Sequence, residues 1–389
     1  MKAIYVVVAV LGAWTCALLL EATVAPVRAC DEILWLARSR VSPIVVSGDP
    51  RAWAMDIPAV GRGIHFLVLS ATGATKSGND VRCWQERGGT FYCMGKETEV
   101  RRTRSNPLPT IADVEAWHGT YFNLDAILTM RYSNVVVFMA GVVFLLATSL
   151  RLMGRGRVLP ALATVLPFAL TPLFATDVVF VTWSGEVVLF SATAAFLWTI
   201  VRLDTSTICR TAWIAAAAVA AGLATAAKLN GVFCLLILVI YLAATSRGWA
   251  RVWDPVAASA VAGIVFVAAN PIYLLNPPWA WLGIAGEMVT RRTLILAAQA
   301  GRAGAMSWTL RLHWFEPYVA LVPVEAVLAW RARHDLGYRV VALWGTVLWL
   351  ATATGILRLA MPEARYFAPL ELGLVFSMAA LALRRGPRE

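Results

Sequence analysis

Two adjacent carboxylates, Asp31 and Glu32, lie just beyond the first long apolar run of the chain, residues 3–20. That run carries no charge and matches the ~18–20 residues a helix needs to cross a bilayer. The pair is therefore expected near one membrane surface, within reach of lipid headgroups. Carboxylates there suit chemistry on a lipid-linked substrate; the plainer alternative is the polar start of a solvated loop. Further ionisable groups fall at the same-side ends of other apolar runs: Arg131, Asp177, Glu186, Lys228, His313, Glu363 and Arg365. A charge at mid-helix costs about 2.5–3.5 kcal/mol on insertion scales, so each needs a partner or a purpose. Gathered by a folded bundle, they would line one cavity at a membrane face. Taken singly, Asp177 and Glu363 read more readily as snorkelling or loop charges. Lys228 is harder to dismiss, because it interrupts Gly222-Leu-Ala-Thr-Ala-Ala-Lys-Leu-Asn-Gly231 between two apolar segments.

The elements that must position these groups are membrane helices. Apolar residues make up 59% of the 389, and 17 are tryptophan; mean hydropathy is +0.68. An ordinary soluble domain is excluded. Windows of membrane length give ten candidate spans: residues 3–22, 134–150, 158–180, 186–201, 212–227, 231–245, 256–275, 317–330, 340–357 and 366–383. The eighth is the weakest, being short and carrying Glu325. The expected fold is thus an all-α polytopic membrane protein of about ten transmembrane helices. In order along the chain come a first helix (1–23), a large loop (24–132), helices two to seven (133–275), a second large loop (276–316), and helices eight to ten with a basic tail (317–389).

Short-loop charge sets the orientation. Arg151, Arg155 and Arg157 follow the second span, Arg202 and Arg210 the fourth, Arg247 and Arg251 the sixth, Arg331, Arg333 and Arg339 the eighth, and Arg384, Arg385 and Arg388 the last. The alternate turns around 176–185 and 229–230 have almost no Lys or Arg. The positive-inside rule then puts both termini in the cytoplasm and the Asp31 loop outside. The net charge of +11 is largely this bias. Nucleic-acid binding is excluded, since no basic patch with interleaved aromatics sits on a soluble domain. Val27-Arg28-Ala29 resembles a signal-peptide cleavage site, but the apolar core is too long and the leading charge only Lys2, so the first helix is read as retained.

Within the first loop, residues 33–40 suit a short helix on the membrane surface, residues 63–72 a β-strand and turn, and residues 113–130 a second amphipathic helix. Cys83 and Cys93 bracket an Arg87-Gly88-Gly89 turn, and a disulfide closing that hairpin suits an oxidising compartment. The loop is thus expected to be mixed and partly β, with Cys30 left over. Cys16, Cys209 and Cys234 read as small core residues. In the second loop, Pro277-Pro278 followed by Trp279 and Trp281 suits a chain turning at the lipid interface. No zinc-type His/Cys spacing is present, and no internal repeat of the sort that marks many transporters.

Taken in order, these features resemble a family. The acidic pair directly after the first span, the acid opening the fourth (Glu186), and the Gly222-Leu-Ala-x-x-x-Lys-x-Asn-Gly231 turn between the fifth and sixth form its pattern. Asn270-Pro-Ile-Tyr273 closing the seventh span and Arg365-Tyr366 opening the last belong to it as well. Over nearly the whole chain they are similar to the integral-membrane GT-C glycosyltransferases, in particular the protein O-mannosyltransferase and lipid A aminoarabinose-transferase branch. Three features depart from it: Cys30 stands where the family often has Pro, no large soluble C-terminal domain follows, and the cysteine hairpin has no counterpart.

The resemblance implies an inverting transferase that takes a sugar from a polyprenyl-phosphate donor at the extracytoplasmic face. It implies a multi-pass protein of the bacterial inner (plasma) membrane, with a lipid, glycan or protein acceptor and membrane lipids around it. Asp31 is the matched position for the general base, with Glu32 beside it and Glu186 as the second acid. Arg365, Lys228 and Arg131 are the candidate cations for the leaving phosphate, in that order, Arg by a bidentate fork and Lys as a point charge. Asp177 and His313 would line the site. No cofactor is implied with certainty and no metal ligands are assigned, with a divalent cation left open. Two other classes stay on the table: an O-antigen ligase or polymerase, to which Arg291, Arg292, Arg302 and His313 would suit, and a polytopic lipid or sugar transporter.

Overall fold

The computed structural model describes residues 2–24, 60–73, 84–87, 90–93, 99–101, 124–154, 156–170, 185–206, 208–228, 231–270, 324, 326–335, 337–356 and 368–383. These are overwhelmingly helical. In chain order the helices are α1 (Lys2–Val24), α2 (Val60–Ala71), α3 (Leu124–Met153), α4 (Val158–Ala163), α5 (Leu166–Leu170), α6 (Gly185–Thr205), α7 (Arg210–Ala227), α8 (Val232–Thr245), α9 (Ala250–Ala269), α10 (Tyr338–Ile356) and α11 (Ala368–Ala382). Three short backbone strands, β1 (Trp84–Arg87), β2 (Thr90–Cys93) and β3 (Glu99–Arg101), pair antiparallel in that order, with Arg87 opposite Thr90 and Trp84 opposite Cys93.

Among the described residues, five helical stretches are long and apolar enough to cross a membrane: Tyr5–Val24, Ile127–Met153, Gly185–Thr205, Arg210–Ala227 and Ala250–Ala269. Shorter apolar helices lie at 158–168 and 232–245, and α10 and α11 fall where the ninth and tenth spans were expected. Such a set is what an integral membrane protein requires.

Three local expectations are corrected. Residues 63–72 do not form a strand; they belong to α2. The β-branched and aromatic residues suggested a period of two, but the buried and packed positions are Val60, Ile64, His65 and Leu69, a helical stripe. Residues 124–130, expected as the end of a separate surface helix, instead open α3, whose 30 residues continue without a break past Asn134. Of the three cysteines read as core, only Cys234 is buried; Cys16 and Cys209 are exposed. Cys16 sits on an α1 that shows much of its apolar surface outward, as a lipid-facing helix can.

The core forms around α6. Phe190 of α6 stacks on Phe138 of α3 with ring centroids 4.8 Å apart, and Phe168 meets it edge-on at 5.7 Å. Ser191 donates to the carbonyl of Val137, so α3 and α6 run side by side in the same direction. Their far ends also meet, where Arg151 Nη2 donates to the Thr205 carbonyl at 2.9 Å. α1 is antiparallel to them, with Trp14 against Phe138 and Ala22 beside Arg131.

The bundle consequently has two distinct polar ends. At one, the arginines of the short turns collect. Arg339 pairs with Asp204 at 2.9 Å, Arg210 reaches Ser246 at 2.9 Å and Asp254 at 3.8 Å, and Arg157 donates to the Leu383 carbonyl at 2.9 Å. The starts of α3 and α6 and the ends of α1 and α7 occupy the other.

Candidate functional site

At that second end Glu186 and Lys228 meet, the carboxylate Oε1 and the ammonium Nζ 2.5 Å apart. Each charge occupies the helix end that suits it. Glu186 lies in the first turn of α6, where the unsatisfied backbone N–H groups favour an anion. Lys228 is the C-cap of α7, where the last carbonyls favour a cation. Lys228 is extended, with φ −160° and ψ 139°, which ends the helix and turns its side chain across to α6. Its own carbonyl then accepts from Gly231 N at 2.7 Å, closing the turn into α8.

This turn tolerates no extra atoms. A Cβ on Gly231 would sit 2.1 Å from the Ala224 carbonyl, inside the backbone of the last turn of α7. A Cβ on Gly185 would come within 2.9 Å of the Ala227 carbonyl oxygen. The two glycines let the start of α6 and the end of α7 touch, and that contact brings the carboxylate to the ammonium. The pair is unequal in exposure: Glu186 is 7% accessible and Lys228 27%. An incoming group would therefore meet the ammonium first, with the carboxylate held behind it. Chemically, such a pair can hold an anionic oxygen on the lysine and orient a hydroxyl toward the carboxylate.

Four further buried polar residues lie at this end of the bundle. Arg131 is 2% exposed, and its Nη1 donates to the Ala22 carbonyl at 2.8 Å. Ala22 is in the last turn of α1, so the guanidinium satisfies a carbonyl with no partner inside its own helix. His65 of α2 and Asn134 of α3 are both buried and lie 2.9 Å apart, Nε2 to Oδ1. Burial holds the His65 imidazole well below its usual range, to about 4, with the Asn134 contact opposing that shift. His65 therefore stays neutral and donates to the amide oxygen. Asn270 closes α9, its side chain returning to the Phe266 carbonyl at 2.8 Å.

Of the residues singled out by sequence, Glu186 and Lys228 are in contact, and Arg131 lies at the same end, on the α1 terminus. Asp31, Glu32, Asp177, His313, Glu363, Arg365 and Cys83 lie outside the described residues, as does the side chain of Cys93. Among the described residues no three His, Cys, Asp or Glu side chains group as metal ligands. Sequence reasoning passed over His65 and its partner. The available signal was a lone histidine inside the apolar stripe of residues 60–71. Protein-family models, curated proteins and solved structures yield no match to this chain.

Proposed function

We propose that the chain is a membrane glycosyltransferase of the GT-C type, moving a sugar from a polyprenyl-phosphate-linked donor to an acceptor at the extracytoplasmic membrane face. In this reading about ten helices span the bacterial inner membrane, both termini are cytoplasmic, and the loop of residues 24–132 is outside, its β hairpin closed by Cys83 and Cys93. The observation that carries the reading is the Glu186–Lys228 contact. Two positions of the resembling pattern, 42 residues apart, meet at the end of the bundle opposite the arginine-rich turns.

The proposed reaction is a single displacement. The acceptor oxygen attacks the anomeric carbon while its proton passes to the Asp31 carboxylate. The bond from that carbon to the donor phosphate breaks, and its electron pair leaves on the phosphate oxygen. Configuration inverts. One carboxylate suffices, because phosphate leaves without needing a proton, unlike the leaving group in a glycosidase. Lys228, with Arg365, balances the charge that grows on the phosphate. Glu186 fixes the ammonium and faces the acceptor hydroxyl, with Glu32, Asp177 and His313 lining the site.

The test is single-turnover transfer and donor binding with purified full-length protein in liposomes, using a polyprenyl-phosphate sugar. Asp31→Asn should lower transfer by about 10²–10⁴-fold while donor binding stays near wild type, because it removes a proton acceptor at constant shape. Retention of full transfer by this variant would sink the reading.

A further inference from the structure

At the arginine-rich end, one arginine differs from its neighbours. Arg151, Arg157, Arg210, Arg251, Arg333 and Arg339 each donate to a carbonyl, hydroxyl or carboxylate oxygen. Arg247 is exposed to solvent. Arg202 is half-buried, yet among the described residues its guanidinium meets no acceptor, and its Nε is fully covered without a hydrogen bond. What covers it is aromatic. The guanidinium carbon lies 4.9 Å from the ring centre of Trp213 and 5.4 Å from that of Trp198. Two indoles from two helices hold the cation in place and fix its orientation, while its terminal nitrogens are not among the covered unpaired atoms.

The carboxylates that might have paired with it are engaged. Asp204, two residues on, accepts from Tyr241, Gly337 N and Arg339. Asp254 accepts from Ser246 and pairs with Arg210. Arg202 thus presents a pre-oriented pair of terminal donors that no anion among the described residues fills.

We infer that Arg202, clasped between Trp198 and Trp213, binds the phosphodiester of an anionic membrane lipid. Depth favours a lipid over dissolved phosphate. Arg202 is in the last turn of α6, a helix long enough to cross the bilayer, with Trp198 one turn further in. Indoles settle at the headgroup level, which places the fork where lipid phosphates are delivered at fixed depth. The adjoining turn displays Ile208, 73% exposed, an apolar contact for acyl chains. A dissolved phosphate would have to shed its hydration for a single arginine. In a zwitterionic lipid the phosphate carries its own cation, so a net-anionic headgroup fits better.

The experiment follows thermal unfolding of the purified full-length protein in detergent while phosphatidylglycerol, phosphatidylcholine or inorganic phosphate is added. Phosphatidylglycerol should raise the midpoint at concentrations where the other two have no effect. Arg202→Gln should need roughly five- to tenfold more phosphatidylglycerol for the same rise, losing one charge-assisted contact at the membrane surface. Arg247→Gln, at a solvated arginine, should titrate like wild type. Arg202→Lys keeps the charge but not the flat fork, and should weaken the response about two- to threefold, deciding the matter even if Arg202→Gln does not fold. An unchanged response in both Arg202 variants overturns the inference. So does an equal loss in Arg247→Gln, which would mean diffuse charge, or a rise with inorganic phosphate alone, which would mean a soluble anion.

Discussion

The two ends of the bundle use the same chemistry, a carboxylate facing a cation, to opposite effect. At the arginine-rich end Asp204 is 1% exposed and ties three parts of the chain together: Tyr241 Oη donates at 2.7 Å, Gly337 N at 2.7 Å and Arg339 Nη2 at 2.9 Å. At the other end Glu186 meets Lys228 across two helix termini, and the lysine is partly open. The first arrangement saturates its anion from several directions and leaves nothing for a ligand. The second keeps a cation at the surface and stiffens it from behind. The difference lies in the anion and not in the exposure of the cation, since Arg339 is 48% exposed against 27% for Lys228: Asp204 is the shared centre of three donors, whereas among the described residues Glu186 meets the single ammonium.

The sharpest way to break this contrast is at the saturated end. Asp204→Ala should destabilise the protein by about 3–5 kcal/mol, because it leaves the buried Tyr241 phenol and the Gly337 N–H unsatisfied and removes the anchor of the half-exposed Arg339. It should show as a large drop in the midpoint of thermal unfolding in detergent; a drop no greater than that of a surface substitution would undo the comparison.

Next in size is a pH effect at the open end. His65 remains neutral in the folded protein down to about pH 4, whereas in the unfolded chain it takes its proton near 6.5. Between those values the unfolded state binds more protons, so the docking of α2 on α3 is complete above pH 6.5 and weakens as pH falls toward 4. The loss across that window is on the order of 3 kcal/mol. Hydrogen exchange of residues 60–71 at pH 7.5 and pH 5 measures it, and His65→Gln, which cannot ionise, should flatten the profile.

Gly231→Val probes the turn that carries Lys228. With the Ala224 backbone in the way, α7 and α8 must separate at a cost of about 1–3 kcal/mol or somewhat more. Since the same movement draws Lys228 from Glu186, transfer should fall further than stability. A variant equally impaired in both would argue that the turn merely packs.

The smallest stability effect should come from removing the open pair altogether. Glu186→Gln combined with Lys228→Met leaves no unpaired charge and should unfold within about 1 kcal/mol of wild type. It should nevertheless lose transfer. If it unfolds as readily as Asp204→Ala, the pair belongs with the structural end.

How legible this was in the sequence depended on the kind of signal. Apolar runs of membrane length located α1, α3, α6, α7 and α9, because burial in lipid demands continuous apolar composition. Lys228 and Glu186 stood out for the same reason, as charges bordering such runs. Their contact was not legible, since it depends on Gly185 and Gly231 admitting the close approach of two backbones. α2 was misread because Ile64, Phe66 and Val68 alternate as strand residues do, while tertiary packing of His65 and Leu69 selected the helical period. Asp204 passed unnoticed because a lone acid after an apolar run looks like an ordinary helix end; its three donors come from residues 37, 133 and 135 positions away. Arg131 was legible as an anomaly but not as a helix cap, for its acceptor is a backbone carbonyl 109 residues earlier.

The shell around Asp204 also sets a timetable. Two of its three donors, Gly337 N and Arg339, are synthesised 133 and 135 residues after it. At roughly 5–20 residues per second, the carboxylate waits on the order of ten seconds for them while α7, α8 and α9 are already entering the bilayer. During that interval Tyr241 is the donor already made. The earlier helices can thus insert before they are fully locked, and the arrival of α10 fastens them, so a nascent chain that stalls short of residue 337 would carry an incompletely satisfied acid for quality control to find.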